Sequence, residues 1–208
     1  MNYYLSSYKL GNEVAALKRL GKKTSGSLGY IANALDFTSA DPERKQRHID
    51  QEMSELRELG FDVTLLDLRD YFGDEDDLNG QLQRLGGVYV CGGNSFVLRQ
   101  AMQLSGFDGA LQASGDRADF LYAGYSAGVC VLSPTLHAYA IVDDPTDMPY
   151  PQLRAQLWEG LGLLRFVFLP HYRSDHPESA QIDQELAYCI DNKILFKAYR
   201  DGEVLIIE

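Results

Sequence analysis

An α/β fold with a mostly parallel sheet covered by helices is predicted by three features of this sequence. Apolar stretches alternate with amphipathic or polar ones from the N-terminus through Leu132, the pattern of successive βαβ units. The apolar run Phe120–Tyr125 passes through Gly124-Tyr125-Ser126-Ala127-Gly128 into residues suited to a buried helix, a strand–tight turn–helix signature. The chain has 208 residues, 45% of them hydrophobic, enough for a single domain spanning 1–208 with a sizeable core.

Taken in order, Tyr3–Ser7 reads as a short strand and Asn12–Leu20 as a helix. Lys22–Ser27 is a polar turn before a buried strand at Leu28–Leu35. Asp41-Pro42 opens a helix running to about Leu59, with Asp41 as N-cap, Pro42 at the first helical position and Gly60 just past the end. Phe61–Leu68 follows as a strand and Asp74–Leu85 as a short acidic helix or irregular piece. Gly87–Cys91 is a strand, with helices at Asn94–Leu104 and Gly109–Ser114. Beyond the elbow come a strand at Arg165–Leu169 and a helix from Pro177 to about Ile190. Leu195–Tyr199 and Val204–Ile207 read as a hairpin around Asp201-Gly202.

Composition narrows the function. The net charge is −11, which argues against nucleic acid or an anionic membrane as partner. No apolar run approaches a membrane span, and Met1–Leu5 lacks the basic start and apolar stretch of a signal peptide. Cys91, Cys130 and Cys189 are odd in number and widely spaced. They suit free thiols in a reducing cytoplasm better than a disulfide framework or a zinc site.

The chemistry centres on Ser126. On a sharp turn between strand and helix, its hydroxyl is lifted clear of the fold, and only small neighbours fit there. The following N–H groups and the helix N-terminus favour an oxyanion. Gly92-Gly93-Asn94 ends another strand and supplies a second oxyanion donor beside the N–H of Ala127, or else forms a structural turn capped by Asn94. Neither a Walker-type lysine nor G-x-G-x-x-G is present, so no phosphate cradle is expected. The apolar strand ending in Pro170-His171 delivers a histidine to the same rim, a candidate general base, with His176 its competitor. His171, Asp175 and His176 share one loop and lack ligands from other elements, so no metal site and no cofactor are expected. Between serine and histidine lies Asp143-Asp144-Pro-Thr-Asp147-Met-Pro149. Asp143 and Asp144 read as a solvated acidic turn. Asp147, followed by Met-Pro-Tyr-Pro, is the candidate to orient the imidazole.

These pieces together resemble the dipeptidase E / cyanophycinase family of serine peptidases. The resemblance spans nearly the whole chain. It rests on Ser6-Ser7-Tyr-Lys-Leu-Gly-Asn12, Gly92-Gly93-Asn94-Ser-Phe96, Gly124-Tyr-Ser-Ala-Gly128, Thr146-Asp-Met-Pro149 and Pro170-His171-Tyr172 in that order. It implies a three-layer α/β/α sandwich related to class I glutamine amidotransferases. It also implies Ser126 as nucleophile, His171 as base, Asp147 as triad acid, and Gly93 and Ala127 as oxyanion donors. Aspartate-specific members carry an arginine in a stretch like G-E-T-R after the histidine. Here that stretch is His176-Pro-Glu-Ser-Ala-Gln181, and a buried substrate carboxylate wants such a cation. Strong selectivity for N-terminal aspartate is therefore not expected unless Arg173 substitutes. Asn94 and Arg173 are the candidate substrate contacts.

The expected activity is hydrolysis of dipeptides or short peptides by a cytoplasmic monomer or homodimer. The alternatives are another amide or ester hydrolase on the same scaffold and a catalytically silent binding domain. The order Ser126…Asp147…His171 also fits α/β-hydrolases, but the chain after the serine is short and no HGGG-type loop precedes it. A glutaminase of the amidotransferase type would want cysteine at position 126.

Overall fold

A computed structural model describes residues 1–208. Five parallel strands and one antiparallel edge strand form the main sheet. They are β1 (Asn2–Ser6), β2 (Ser27–Ile31), β3 (Asp62–Leu65), β4 (Gly87–Val90), β5 (Leu121–Tyr125) and, at the edge, β8 (Val204–Ile207), in the order β3-β2-β4-β5-β1-β8. Every residue of β4 and β5 is buried, so the sheet centre is covered on both faces, as parallel sheets require. The covering helices are α1 (Val14–Gly21), α2 (Pro42–Glu58), α3 (Glu75–Arg84), α4 (Ser95–Leu104), α5 (Phe107–Ala113), the short α6 (Ala127–Cys130) and α7 (Ser179–Asp191). Leu17, Leu20, Met53, Leu56, Leu98 and Met102 from three of them share one core with Tyr30, Tyr89 and Tyr122 of the strands.

The expected α2 forms for the expected reasons. Asp41 accepts the Arg44 N–H at 2.7 Å, Pro42 stands in the first turn, and Gly60 follows at φ +99°. Where α3 was open between helix and irregular chain, the structure has a helix capped by Asp74. The strand expected over Leu28–Leu35 stops at Ile31. Asn33–Leu35 instead form a 3-10 turn, in which Asn33 accepts the Leu68 N–H and donates to Asp67.

The C-terminal hairpin does not form. β7 (Phe196–Ala198) pairs in parallel with β6 (Val167–Leu169) in a separate two-stranded sheet. β8 leaves it and pairs antiparallel with β1. Asp201-Gly202 is thus a corner between two sheets, and β6, which leads to His171, lies outside the main sheet.

Candidate active site

The elbow is built by backbone crowding. β5 runs beside β4, and α6 starts over the same spot. A Cβ on Gly124 would lie 2.7 Å from the Val90 carbonyl oxygen, and one on Gly128 would lie 2.3 Å from the same atom. Both approaches are closer than a carbon can make, so the spacing of the two glycines follows from one neighbouring carbonyl. Between them Ser126 is held at φ 48°, ψ −119°, a region costly for any residue with a side chain. Its own carbonyl accepts from Val129 and Cys130, which locks the turn.

The Gly92-Gly93 turn abuts this elbow. A Cβ on Gly92 would stand 2.7 Å from the Tyr125 ring, and one on Gly93, at φ +142°, would stand 2.4 Å from the Ala34 oxygen. The N–H groups of Gly93 and Ala127 have no acceptor within the protein. The Asn94 side chain lines the cleft and is hydrogen-bonded through both its oxygen and its amide. Its oxygen accepts from Phe96 and Val97 at the start of α4, and its amide donates to the Asp144 carbonyl.

His171 follows β6 at φ 60°, and its backbone N–H donates to Ser7 Oγ at 2.9 Å. Its Nε2 lies 3.2 Å from Ser126 Oγ, and its Nδ1 lies 2.7 Å from Asp201 Oδ1. A carboxylate only accepts, so Nδ1 carries the proton and Nε2 presents its lone pair to the serine hydroxyl. Burial pushes the His171 pKa down. The hydrogen bond that its Nδ1–H donates to Asp201 opposes this, His176 adds to the lowering, and the net shift is downward from the ordinary value. Ser7 Oγ lies 3.1 Å from Asp201 Oδ1, so one hydroxyl ties the histidine backbone to its carboxylate.

The carboxylate on His171 is therefore Asp201, not Asp147. Asp147 instead accepts the Thr38 N–H with both oxygens, at 3.3 and 3.0 Å, and its carbonyl accepts from Gln100. It staples one loop to another and does not orient the imidazole. Asp143 also departs from expectation. Its carboxylate accepts the Ser95 N–H at 2.8 Å, and burial pushes its pKa up to about 7. Arg173 is exposed and packs over the Tyr172 ring, outside the residues that line the cleft.

His176 lies flat against His171, with ring centroids 3.7 Å apart and planes within 9°. Tyr8 meets both rings edge-on. His171, His176 and Glu178 place ligand-type atoms within 4.8 Å of one another, but the set does not fit a metal. Nitrogen lone pairs lie in the ring plane, so two parallel stacked imidazoles direct theirs side by side and do not converge. His171 also has both nitrogens engaged.

The cleft over Ser126 has a volume of ≈ 600 Å³. Tyr8, His171, His176 and Glu178 line it on one side, Val142–Asp144 on another, and Arg44, Lys45 and His48 of α2 on a third. Lys45 is paired with Asp36, while the Arg44 guanidinium has no ion-pair partner. His48 Nε2 sits 3.1 Å from the Tyr125 hydroxyl, which donates to the buried Glu52. Ser7, Arg44, Glu178 and Asp201 were not singled out from the sequence. Of these, Ser7 and Glu178 lie inside motifs already quoted.

Comparison with known proteins identifies the family and the fold. The model of peptidase family S51 matches residues 21–208, and the chain belongs to that family. An uncharacterized peptidase of Listeria innocua is 34% identical over 57% of this chain and 54% of its own length. Peptidase E of Streptomyces coelicolor is 29% identical over 69% of this chain and 57% of its own length. The matches thus span little more than half of these curated relatives. A crystal structure of a candidate peptidase E from Listeria monocytogenes EGD-e superimposes with a TM-score of 0.71 at 21% identity, covering 100% of this chain and 98% of that one. A peptidase from an acI-B1 Actinobacterium gives 0.69 at 15% identity, covering 100% and 83%. These structures share the α/β fold. No helix is long and apolar enough to cross a membrane.

Proposed function

We propose that this protein is a serine peptidase of short peptides, with Ser126 as nucleophile, His171 as general base and acid, and Asp201 as the orienting carboxylate. The observation that carries the reading is the continuous relay Ser126 Oγ–His171 Nε2 and His171 Nδ1–Asp201 Oδ1. Ser126 attacks the scissile carbonyl carbon as its proton passes to His171 Nε2. The carbonyl oxygen, now anionic, takes the free N–H groups of Gly93 and Ala127. Collapse breaks the C–N bond, and His171 returns its proton to the departing amine. Water, deprotonated by the same nitrogen, then releases the acyl group from Ser126. The lowered pKa of His171 suits this role, because the imidazole is neutral at neutral pH.

Selectivity for N-terminal aspartate is not part of this proposal. The stretch His176–Gln181 holds no lysine or arginine, and Arg173 is not among the residues that line the cleft. Asp143, Asp144 and Glu178 line it opposite Arg44 and the Asp36-paired Lys45 of α2. The test is a fluorophosphonate probe together with a dipeptide panel that includes Asp-Leu, Asn-Leu and Ala-Leu. The expected result is labelling abolished by Ser126→Ala, and no more than a fewfold preference for Asp-Leu over Asn-Leu. An unlabelled Ser126 with no cleavage of any dipeptide would refute the reading.

A further inference from the structure

His171 is gripped at its edges, and its hydrogen bonds leave its faces unheld. Nδ1 on Asp201 and Nε2 on Ser126 are both contacts in the ring plane, at 2.7 and 3.2 Å. Two in-plane bonds at opposite ends of a ring do little to stop it swivelling about the line between them. A swivel takes the nitrogen lone pair off the serine hydroxyl, and a hydrogen bond weakens steeply as it bends. One face is held by His176, whose ring centroid lies 3.7 Å from that of His171 with 9° between the planes. No water fits in that gap. Tyr8, from the turn after β1, meets both rings edge-on, 5.7 Å from His171 and 5.2 Å from His176.

His176 is itself fixed. Its Nδ1 accepts the backbone N–H of Glu178 at 3.3 Å, just ahead of α7. While that bond lasts, Nδ1 presents a lone pair and the ring is neutral, with its proton on Nε2. The His176 side chain is 18% exposed and that of His171 only 1%, so solvent reaches the outer ring and not the base. Charge matters here as well as shape. Attack by Ser126 turns His171 into an imidazolium. A neutral aromatic face beside it is favourable, and a charged one repels it. A protonated His176 thus opposes proton uptake by the base and adds to burial in lowering its pKa. The other ionisable groups around the stack are Tyr8, Asp201 at the far edge of His171, and Glu178, whose carboxylate lies 3.8 Å from His176 Nδ1.

We propose that His176 is a positioning residue for the reaction, clamping the face of His171 so that both in-plane hydrogen bonds stay aligned and presenting a neutral ring to the cation that forms there. This rests on the serine peptidase reading above. His176 is not itself the base, since the contact with Ser126 Oγ is made by His171 Nε2 and His176 Nδ1 is taken by Glu178. A side chain that merely filled space at this position would affect stability. It would move neither the working pKa of the base nor the reactivity of Ser126 toward a small probe.

The test compares His176→Ala, which removes the ring, with His176→Phe, which keeps a flat face and loses the titratable nitrogens. Two rates are read: kcat for the best-cleaved dipeptide of the panel, and fluorophosphonate labelling of Ser126, which bypasses peptide binding. In His176→Ala both should fall together by about tenfold or more, as for a misaligned catalytic group. His176→Phe should restore both to within about threefold at pH 8. The acid limb of kcat/KM reports the base in the free enzyme. Activity is lost as pH falls through the pKa of His171, and removing a charge that lowers this pKa raises it. The limb in His176→Phe should therefore move to higher pH. Circular dichroism checks that the variants fold, and if His176→Ala does not, the two rates and the acid limb of His176→Phe decide. Unchanged kcat and labelling in a folded His176→Ala would overturn the proposal. So would a His176→Phe as slow as His176→Ala, or one whose acid limb stays in place. Absence of both dipeptide cleavage and Ser126 labelling in the unaltered protein would overturn the hydrolase reading, and this one with it.

Discussion

Replacing Asp201 with asparagine removes one charge and changes little else. Asp201 Oδ1 lies 2.7 Å from His171 Nδ1 and is also within hydrogen-bonding distance of Ser7 Oγ, while the Asp201 backbone N–H is held by Ser174 Oγ. An amide of the same shape keeps the backbone contact. Two outcomes follow for the imidazole. If the amide NH₂ turns toward Nδ1, it forces the proton onto Nε2, and the base faces Ser126 with no lone pair, a loss of about 10⁴ in rate in the best-studied serine protease triad. If the amide oxygen stays on Nδ1, the tautomer survives but the imidazolium formed during attack loses its counter-charge. Two unit charges 2.7 Å apart attract by about 6 kcal/mol at an effective dielectric of about 20. Asp201 is partly exposed, and an amide recovers part of the interaction as a neutral hydrogen bond. A net loss of about 3–4 kcal/mol remains, or roughly 10²–10³ in rate. The expected result is thus a fall in kcat of at least about a hundredfold, with an unchanged unfolding midpoint in urea. Asp147→Asn should stay within about threefold, because its contacts are to Thr38 and not to His171. A large loss in Asp147→Asn with activity retained in Asp201→Asn would refute the reasoning.

Three further outcomes follow from the same geometry. Ser7→Ala removes the hydroxyl that joins the His171 backbone to Asp201, and steady-state kinetics should show kcat lowered by about tenfold with KM little changed. Gly93→Ala places a methyl group 2.4 Å from the Ala34 oxygen at a φ of +142°. Backbone strain of this kind costs about 1–3 kcal/mol, so thermal denaturation should show a lower midpoint and activity should fall with the displaced N–H. Glu185, whose pKa burial raises to about 9, makes stability depend on pH. The folded state holds this proton more tightly than the unfolded one, so stability is fully present below the ordinary carboxyl range and is lost as pH rises toward 9. The slope is about 1.4 kcal/mol per pH unit for one such group. Urea denaturation of the unaltered protein and of Glu185→Gln should differ by a gap that changes in this direction between pH 5 and 9, and a pH-independent gap would contradict it.

Where the fold was legible, one physical rule decided each stretch. β4 and β5 are buried on both faces, so their apolar runs have few interpretations. Asp41, Pro42 and Gly60 mark the ends of α2 by local chemistry alone. Boundaries failed where a distant partner took over, as when Asn33 turned the chain to reach Asp67 and Leu68. In the site, Ser126 was readable because the two glycines that the Val90 carbonyl demands flank it closely in sequence, although that carbonyl comes from β4. His171 was readable as the polar end of an apolar strand, although that strand lies outside the main sheet. Asp143 was misread as solvated because its burial comes from packing near α4 and α7, which a run of acidic residues and prolines does not disclose.

The carboxylate was missed for a more specific reason. Asp201-Gly202 carries the chemistry of a tight turn, and the apolar stretches on either side suggest a hairpin. Local chemistry marked the turn correctly but not the destinations of the two strands. β7 follows β6 toward His171, pairing Leu169 with Ala198, and Tyr172 continues the match by donating to the Tyr199 carbonyl. β8 crosses to β1, pairing Ser6 with Val204, and Ser7 donates to the Glu203 carbonyl. Asp201 lies at the point where these two pairings meet. One of them leads to the histidine and the other to the serine hydroxyl that steadies it. Neither strand alone fixes the carboxylate, since rotating either about the corner would carry Oδ1 out of reach of Nδ1. The edge strand therefore does more than close the sheet, because its register with β1 helps to set the His171–Asp201 distance on which the proposed triad depends. A residue positioned by two long-range pairings leaves no periodic or local trace in sequence.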